Sequence, residues 1–237
     1  MNTTSKVVGV LGGMGPDATV DFMAKVIALT PADKDQDHLR MLVDHNPAVP
    51  NRQTAILEGG QDPGPALAEM AKRLEAAGAD FLVIPCNTAY FFASHVTEAV
   101  DIPLISIIDV TLDAILQREA SIKNVGVLAT DGCLRADVYQ DALQERSLTP
   151  VLPNGDEVAE LMVLINKIKA GDKSEAVSIA MRQLAEALMS RGAQAIVAGC
   201  TEIPLVLDAA MLSVMLISST DALAAETVRQ ARSNTCC

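Results

Sequence analysis

Gly78-Ala79-Asp80-Phe81-Leu82-Val83-Ile84-Pro85-Cys86-Asn87-Thr88 and Gly192-Ala193-Gln194-Ala195-Ile196-Val197-Ala198-Gly199-Cys200-Thr201-Glu202 follow one plan. Glycine to glycine and cysteine to cysteine, the two stretches lie 114 residues apart. Each reads as a short buried strand that starts after a helix-ending glycine and stops at a thiol. Two other phrases recur in the same order. Val7-Val8-Gly9-Val10-Leu11 returns as Asn124-Val125-Gly126-Val127-Leu128, with the central glycines 117 residues apart. Leu104-Ile105-Ser106 returns as Leu216-Ile217-Ser218 after 112 residues. One match is within reach of chance, because an apolar strand followed by glycine is common. Three in register favour an internal duplication.

Between these strands the pattern is helical. Residues 16–29 carry Val20, Met23, Ala24 and Ile27 on one stripe, and residues 65–77 form a helix ended by Gly78. Residues 40–43, 81–84 and 104–108 read as strands. Strand and helix alternate, which points to α/β architecture. The expected fold is two pseudo-symmetric, Rossmann-like parallel-sheet domains with the active site in the cleft between them. The expected division is residues 1–108 plus a C-terminal helix at about 218–237, and residues 109–217. The helices after residues 108 and 218 are expected to cross between the halves.

Composition removes whole classes of function. Half of the 237 residues are hydrophobic and only 3% are aromatic, so Ala, Val, Ile and Leu must build the core. With 18 Lys and Arg against 30 Asp and Glu, the net charge is −12, and no basic cluster offsets it. Nucleic acid and anionic membranes are therefore not expected as partners. Five cysteines without disulfide-like spacing suit a reduced, cytoplasmic protein. Residues 1–5 lack the apolar core of a signal peptide, and no apolar run is long enough for a bilayer. His38, His45 and His95 are scattered, so no metal site is expected. Cys236-Cys237 reads as an incidental pair in a frayed tail.

The chemistry lies at the strand ends. In open parallel sheets, ligands bind beyond the carboxyl ends of the strands. Cys86 and Cys200 both sit there, each expected before a helix whose dipole lowers the thiol pKa. A lone cysteine is more often a small core residue. Two at equivalent strand ends can instead stand on opposite sides of one ligand. That arrangement suits removal of a proton from one face of a carbon and its return to the other. The loop Gly12-Gly13-Met14-Gly15-Pro16 also joins a strand to a helix, and its N–H groups suit a carboxylate or phosphate. It admits a second reading, since Gly13-x-Gly15-x-x-Ala18 with Asp44 after it fits a dinucleotide fingerprint.

Leu11-Gly12-Gly13-Met14-Gly15-Pro16, Asn46-Pro47 through Pro50-Asn51-Arg52, Pro85-Cys86-Asn87-Thr88 and Gly199-Cys200-Thr201-Glu202 together resemble the aspartate/glutamate racemase family. The resemblance runs from about Val7 to Asp221 and is greatest to cofactor-independent aspartate racemases. It implies racemisation of an acidic amino acid by Cys86 and Cys200 without pyridoxal phosphate, in a homodimer. It also implies substrate contacts by Gly13, Met14, Asn87, Thr88, Thr130, Thr201 and Glu202. Arg52 and Lys169 would meet the side-chain carboxylate. Read without the family, Asn87, Thr88 and Thr201 are equally helix caps, and Glu202 a first-turn acid. Arg52 is then a solvated helix-start residue and Lys169, or its neighbour Lys167, a cation at a helix end. One departure stands out. Thr130-Asp131-Gly132-Cys133 stands where relatives often carry Thr-Thr-Gly-Thr. A carboxylate at Asp131 would repel an acidic substrate.

The expected function is interconversion of L- and D-aspartate. Glutamate, a hydantoin or maleate are alternative substrates of the same architecture. A two-lobed small-molecule binder or a nucleotide-binding module is the non-enzyme alternative.

Overall fold

A computed structural model describes residues 5–233, so Cys236 and Cys237 lie outside the described residues. The first half contains β1 (Val8–Gly12), α1 (Pro16–Leu29), β2 (Met41–His45), α2 (Arg52–Glu58) and α3 (Gly64–Ala76). It continues with β3 (Phe81–Val83), α4 (Ala93–Thr97), β4 (Leu104–Ile105) and α5 (Ile107–Arg118). The second contains β5 (Asn124–Leu128), α6 (Asp131–Arg135), α7 (Val138–Glu145), β6 (Thr149–Val151) and α8 (Gly155–Lys169). It ends with α9 (Glu175–Ser190), β7 (Ala195–Ala198), β8 (Met215–Ser218) and α10 (Ser219–Arg232).

The strands form two four-stranded parallel sheets with the same order, β2-β1-β3-β4 and β6-β5-β7-β8. The central strands β1, β3 and β7 are buried along their whole length, as parallel strands covered on both faces must be. The duplication extends to the packing. A Cβ on Gly9 would meet Leu82, Ala79 and Leu74, and one on Gly126 would meet Ile196, Ala193 and Leu188. Each of these contacts is its counterpart shifted by 114 residues. The glycine in each first strand therefore lets α3 or α9 lie directly on the sheet.

Three apolar clusters hold the molecule. One is shared by both sheets and includes Phe22, Phe81, Ile107, Tyr139, Val197 and Leu223. The other two lie beneath α8 and α9 on one sheet and beneath α3 on the other. Helix α5, after the last strand of the first sheet, packs on α7 and β8. Helix α10, after the last strand of the second, packs on α1 and α5.

Two sequence expectations need correction. The strand expected over 104–108 ends at Ile105, because Ser106 caps a helix and its Oγ accepts from Asp109 N at 3.1 Å. Ser218 does the same for α10, with Asp221 N at 3.1 Å. On α1 the buried face is Ala18, Thr19, Phe22 and Val26, while Val20 is 63% and Ile27 49% exposed. Both stripes have helical spacing, and docking on α10 and the sheet selects the one containing Phe22. Among the described residues, no helix is long and apolar enough to cross a membrane.

The glycine contacts set a test of the fold. Gly9→Val and Gly126→Val each force bulk between strand and helix and are expected to lower stability by about 1–3 kcal/mol in urea unfolding. Equal stability of variant and parent would contradict this packing.

Candidate active site

The cleft lies where the first and second sheets end. Its wall includes both cysteines, with Met14, Arg52, Asn87 and Thr88 from the first half and Thr130, Lys169, Thr201 and Glu202 from the second. Chain geometry explains the arrival of the thiols. After β3 the backbone turns tightly, Cys86 N donating to Ile84 O at 2.8 Å. After β7 the N–H of Gly199 extends the sheet, bonding Leu128 O at 2.7 Å, and Cys200 follows. Each thiol residue is 6% exposed, so the two are equally recessed.

Helical structure follows Cys86 as expected, Thr88–Phe92 being a 3₁₀ turn that runs on into α4, whereas Cys200 is followed only by the short 3₁₀ turn Ile203–Leu205, too brief to sum a large dipole. At Cys200 the local field acts the other way. Burial pushes its thiol well above the ordinary range, and the Glu202 carboxylate pushes it further. Cys200 Sγ donates to Glu202 Oε2 at 3.0 Å, and Lys169 opposes the shift from across the carboxylate. Lys169 Nζ lies 3.9 Å from Glu202 Oε1, with the glutamate only 4% and the lysine 40% exposed at their side chains. Cys200, Glu202 and Lys169 thus form a thiol–carboxylate–ammonium row on the second-half wall. A Cβ on Gly15 would lie 2.9 Å from Glu202 Oε1, so the glycine loop makes room for that carboxylate.

On the first-half wall, Asn51 caps α2 and accepts from Gln53 N and Thr54 N. This fixes Arg52 at the helix start. Its Nη1 donates to Val49 O at 3.3 Å and Pro50 O at 3.1 Å, and Nη2 to Met14 O at 3.5 Å. Nε is buried without a partner among the described residues. The guanidinium therefore lies folded against carbonyls of its own loop and the glycine loop, at the cleft edge.

Gly13 is not on the wall. Its φ is +94°, and any Cβ there would stand 2.5 Å from the Asn46 backbone, so only glycine fits. Its N–H is committed to Thr19 Oγ1 at 2.9 Å, so the expectation of a free donor there fails. Asp44, the acid of the dinucleotide reading, is paired with Arg73 Nη2 at 2.7 Å. Asp131 is likewise engaged by Arg135 Nε at 2.9 Å and is not among the wall residues. Cys133 is fully buried, and burial raises its thiol far above the ordinary range. It belongs to the shared core. Among the described residues, no cluster of His, Cys, Asp and Glu could hold a metal ion.

Sequence reasoning missed two features. Gln53 Nε2 donates to Thr130 Oγ1 at 2.6 Å, and its Oε1 accepts from Gly132 N at 2.6 Å. Thr88 and Thr130 share a hydrogen bond at 2.9 Å. These contacts tie α2 to α6 across the cleft, and the only sequence hint was the position of Gln53 beside Arg52. The second feature is the pair of buried partners that hold the Asn87 amide. Its Oδ1 accepts from Tyr139 Oη at 2.7 Å, and its Nδ2 donates to Ser219 Oγ at 3.0 Å.

A family model described as Asp/Glu/Hydantoin racemase matches residues 11–227. A broad-specificity amino-acid racemase of Bacillus subtilis is 28% identical over 233 residues, covering 94% of this chain and 96% of that one. Among solved structures, an aspartate racemase of Picrophilus torridus superposes with a TM-score of 0.81 at 30% identity, covering 95% of this chain and 94% of the other. A glutamate racemase of Francisella tularensis, 18% identical, shares the fold with a TM-score of 0.67 over 95% of this chain and 80% of that one. The chain belongs to the Asp/Glu/hydantoin racemase family.

The row around Cys200 gives a signed prediction. Glu202→Gln removes one raising cause, so alkylation of Cys200, followed by mass spectrometry, should develop at lower pH. Burial remains, so the midpoint should stay above that of a free thiol. Lys169→Met should move it to higher pH. Shifts of the opposite sign would contradict the assigned field.

Proposed function

We propose that this member of the Asp/Glu/hydantoin racemase family interconverts L- and D-aspartate, moving the α-proton between Cys86 and Cys200 without pyridoxal phosphate. One observation carries the reading. Two thiols from equivalent strand ends of a duplicated fold line one cleft.

In this reading Cys200 rests as a thiol, hydrogen-bonded to Glu202. The Cys86 thiolate takes the α-proton, and the C–H electron pair passes into the carbanion and its α-carboxylate. Cys200 then delivers its proton to the opposite face, leaving Cys86 as thiol and Cys200 as thiolate. The reverse direction exchanges the roles. A raised pKa makes the Cys200 thiolate a stronger base, which suits a weakly acidic C–H. Thr88, Thr130 and Thr201 supply hydroxyls around the α-substituents, and Met14 contributes wall. Gly13 shapes that wall from behind. Lys169 and Arg52 supply positive charge for carboxylates, in a chain otherwise strongly negative. Glu202 orients the Cys200 proton and balances Lys169.

The Picrophilus aspartate racemase supports aspartate as substrate. A second reading, a broader range of amino acids, is favoured by the apolar residues Met14, Val49 and Met162 on the wall and by the Bacillus relative. The same proposal includes a homodimer, supported by the exposed apolar face of α1, and a cytoplasmic setting, supported by free Cys86, Cys133 and Cys200. It also divides the chain into domains of residues 1–108 with α10 and residues 109–217, which places the boundary in the first turn of α5 and moves α10 from the second half of the chain to the first domain, supported by the packing of α10 on α1.

Racemisation of aspartate, followed by optical rotation or chiral chromatography, tests the activity. Cys86→Ala and Cys200→Ala should each reduce it by about 10²- to 10⁴-fold. Retention of activity in either variant would overturn the two-thiol reading. Arg52→Lys should raise KM for aspartate about tenfold, while leaving KM for alanine unchanged if alanine is turned over. An equal rise for both would remove Arg52 from side-chain recognition.

A further inference from the structure

Behind the cleft, a buried polar bridge joins the two thiol loops. Tyr139, on α7, donates its hydroxyl to Asn87 Oδ1 at 2.7 Å. Asn87 Nδ2 donates to Ser219 Oγ at 3.0 Å, and Ser219 Oγ donates to Ala198 O at 2.9 Å. Asn87 directly follows Cys86, and Ala198 lies two residues before Cys200. Tyr139 reaches the second loop as well. A Cβ on Gly199 would stand 2.8 Å from its ring carbon Cε2, so ring and backbone are in direct contact there.

The bridge is dry. Tyr139 and Ser219 are wholly buried and Asn87 is 2% exposed. Hydrogen bonds in such surroundings are strong, and a buried hydroxyl without its partner is costly. A phenylalanine would fill the same core space at no desolvation cost. The hydroxyl therefore adds a directional link to Asn87 that packing alone does not supply. Asn87 spends one N–H and one lone pair on the bridge and keeps one of each for the cleft.

We propose that Tyr139 is a positioning residue for the reaction. Its hydroxyl on Asn87 and its ring on Gly199 set the spacing of Cys86 and Cys200 across the cleft, and Ser219 provides a second tie between the same loops. The inference rests on the two-thiol reading. Proton transfer to and from carbon tolerates little misplacement, since about 1 Å can cost about 100-fold in rate. Neither Tyr139 nor Ser219 lies on the cleft wall, so the variants leave every side chain of the wall in place, and the loss is expected in kcat rather than in KM.

The test compares kcat and KM for aspartate in Tyr139→Phe and Ser219→Ala, with Cys86→Ala and Cys200→Ala assayed alongside. In Tyr139→Phe, kcat is expected to fall about tenfold or more while KM stays within about twofold. Ser219→Ala should show the same split, and it carries the test if Tyr139→Phe does not fold. A smaller loss of kcat, or a loss confined to KM, overturns the positioning role. If that happens while both cysteine variants are inactive, the two-thiol reading stands alone. If the cysteine variants keep their activity, or the parent has none with any acidic amino acid, both readings fall.

Discussion

The apolar core shared by the two sheets is the constraint from which the rest follows. Phe81 and Ile107 of the first half pack with Tyr139, Val197 and Leu223 of the second. This shared packing fixes one sheet against the other and brings the loops after β3 and β7 to a single cleft. The glycine at the same point of each first strand lets α3 and α9 lie directly on their sheets. With the sheets fixed, both thiols line that one cleft. Polar ties reinforce the apolar one. Gln53 with Thr88 and Thr130 closes one side of the cleft, and Tyr139 with Asn87 and Ser219 closes the back.

Near-symmetry of backbone does not extend to charge. The residue two places after Cys86 is Thr88, and the residue two places after Cys200 is Glu202. Among the described residues, only the second of these thiols has a carboxylate bonded to it, with Lys169 beyond. The Lys169 ammonium draws on a scarce resource, because acids outnumber bases by 30 to 18 in this chain. Most of the other cations are committed elsewhere. Arg73 holds Asp44, Arg135 holds Asp131, and Arg146 holds Asp109 and Asp113. Positive charge at the cleft thus rests on Lys169 and Arg52.

Much of the fold was legible in the sequence because parallel sheets impose repetition. The three strand phrases around Gly9, Cys86 and Leu104 recur, and a recurring phrase locates its own counterpart. The boundary at residue 105 was not legible. Ile107 and Ile108 have strand composition, and only the side chain of Ser106 turns them into a helix start. The buried stripe of α1 was hidden for a related reason, since two apolar faces compete and α10 decides between them. At the site, residues beside the cysteines could be found from local sequence. Tyr139 and Ser219 could not, because their partners lie 52 and 132 residues away. The expected dipole effect at Cys200 failed because Ile203–Leu205 is a single short turn and burial outweighs it.

The central claim is that different thiols act on the two faces of one carbon. The most direct measurement is the position of isotope when L-aspartate is racemised in deuterium oxide and stopped at low conversion. The D-aspartate formed should carry deuterium at Cα, while the recovered L-aspartate keeps its protium, because the group that takes the proton is not the group that supplies its replacement. Protium carried into D-aspartate, or deuterium entering L-aspartate as fast as D-aspartate forms, would mean that one group serves both faces and would contradict the account.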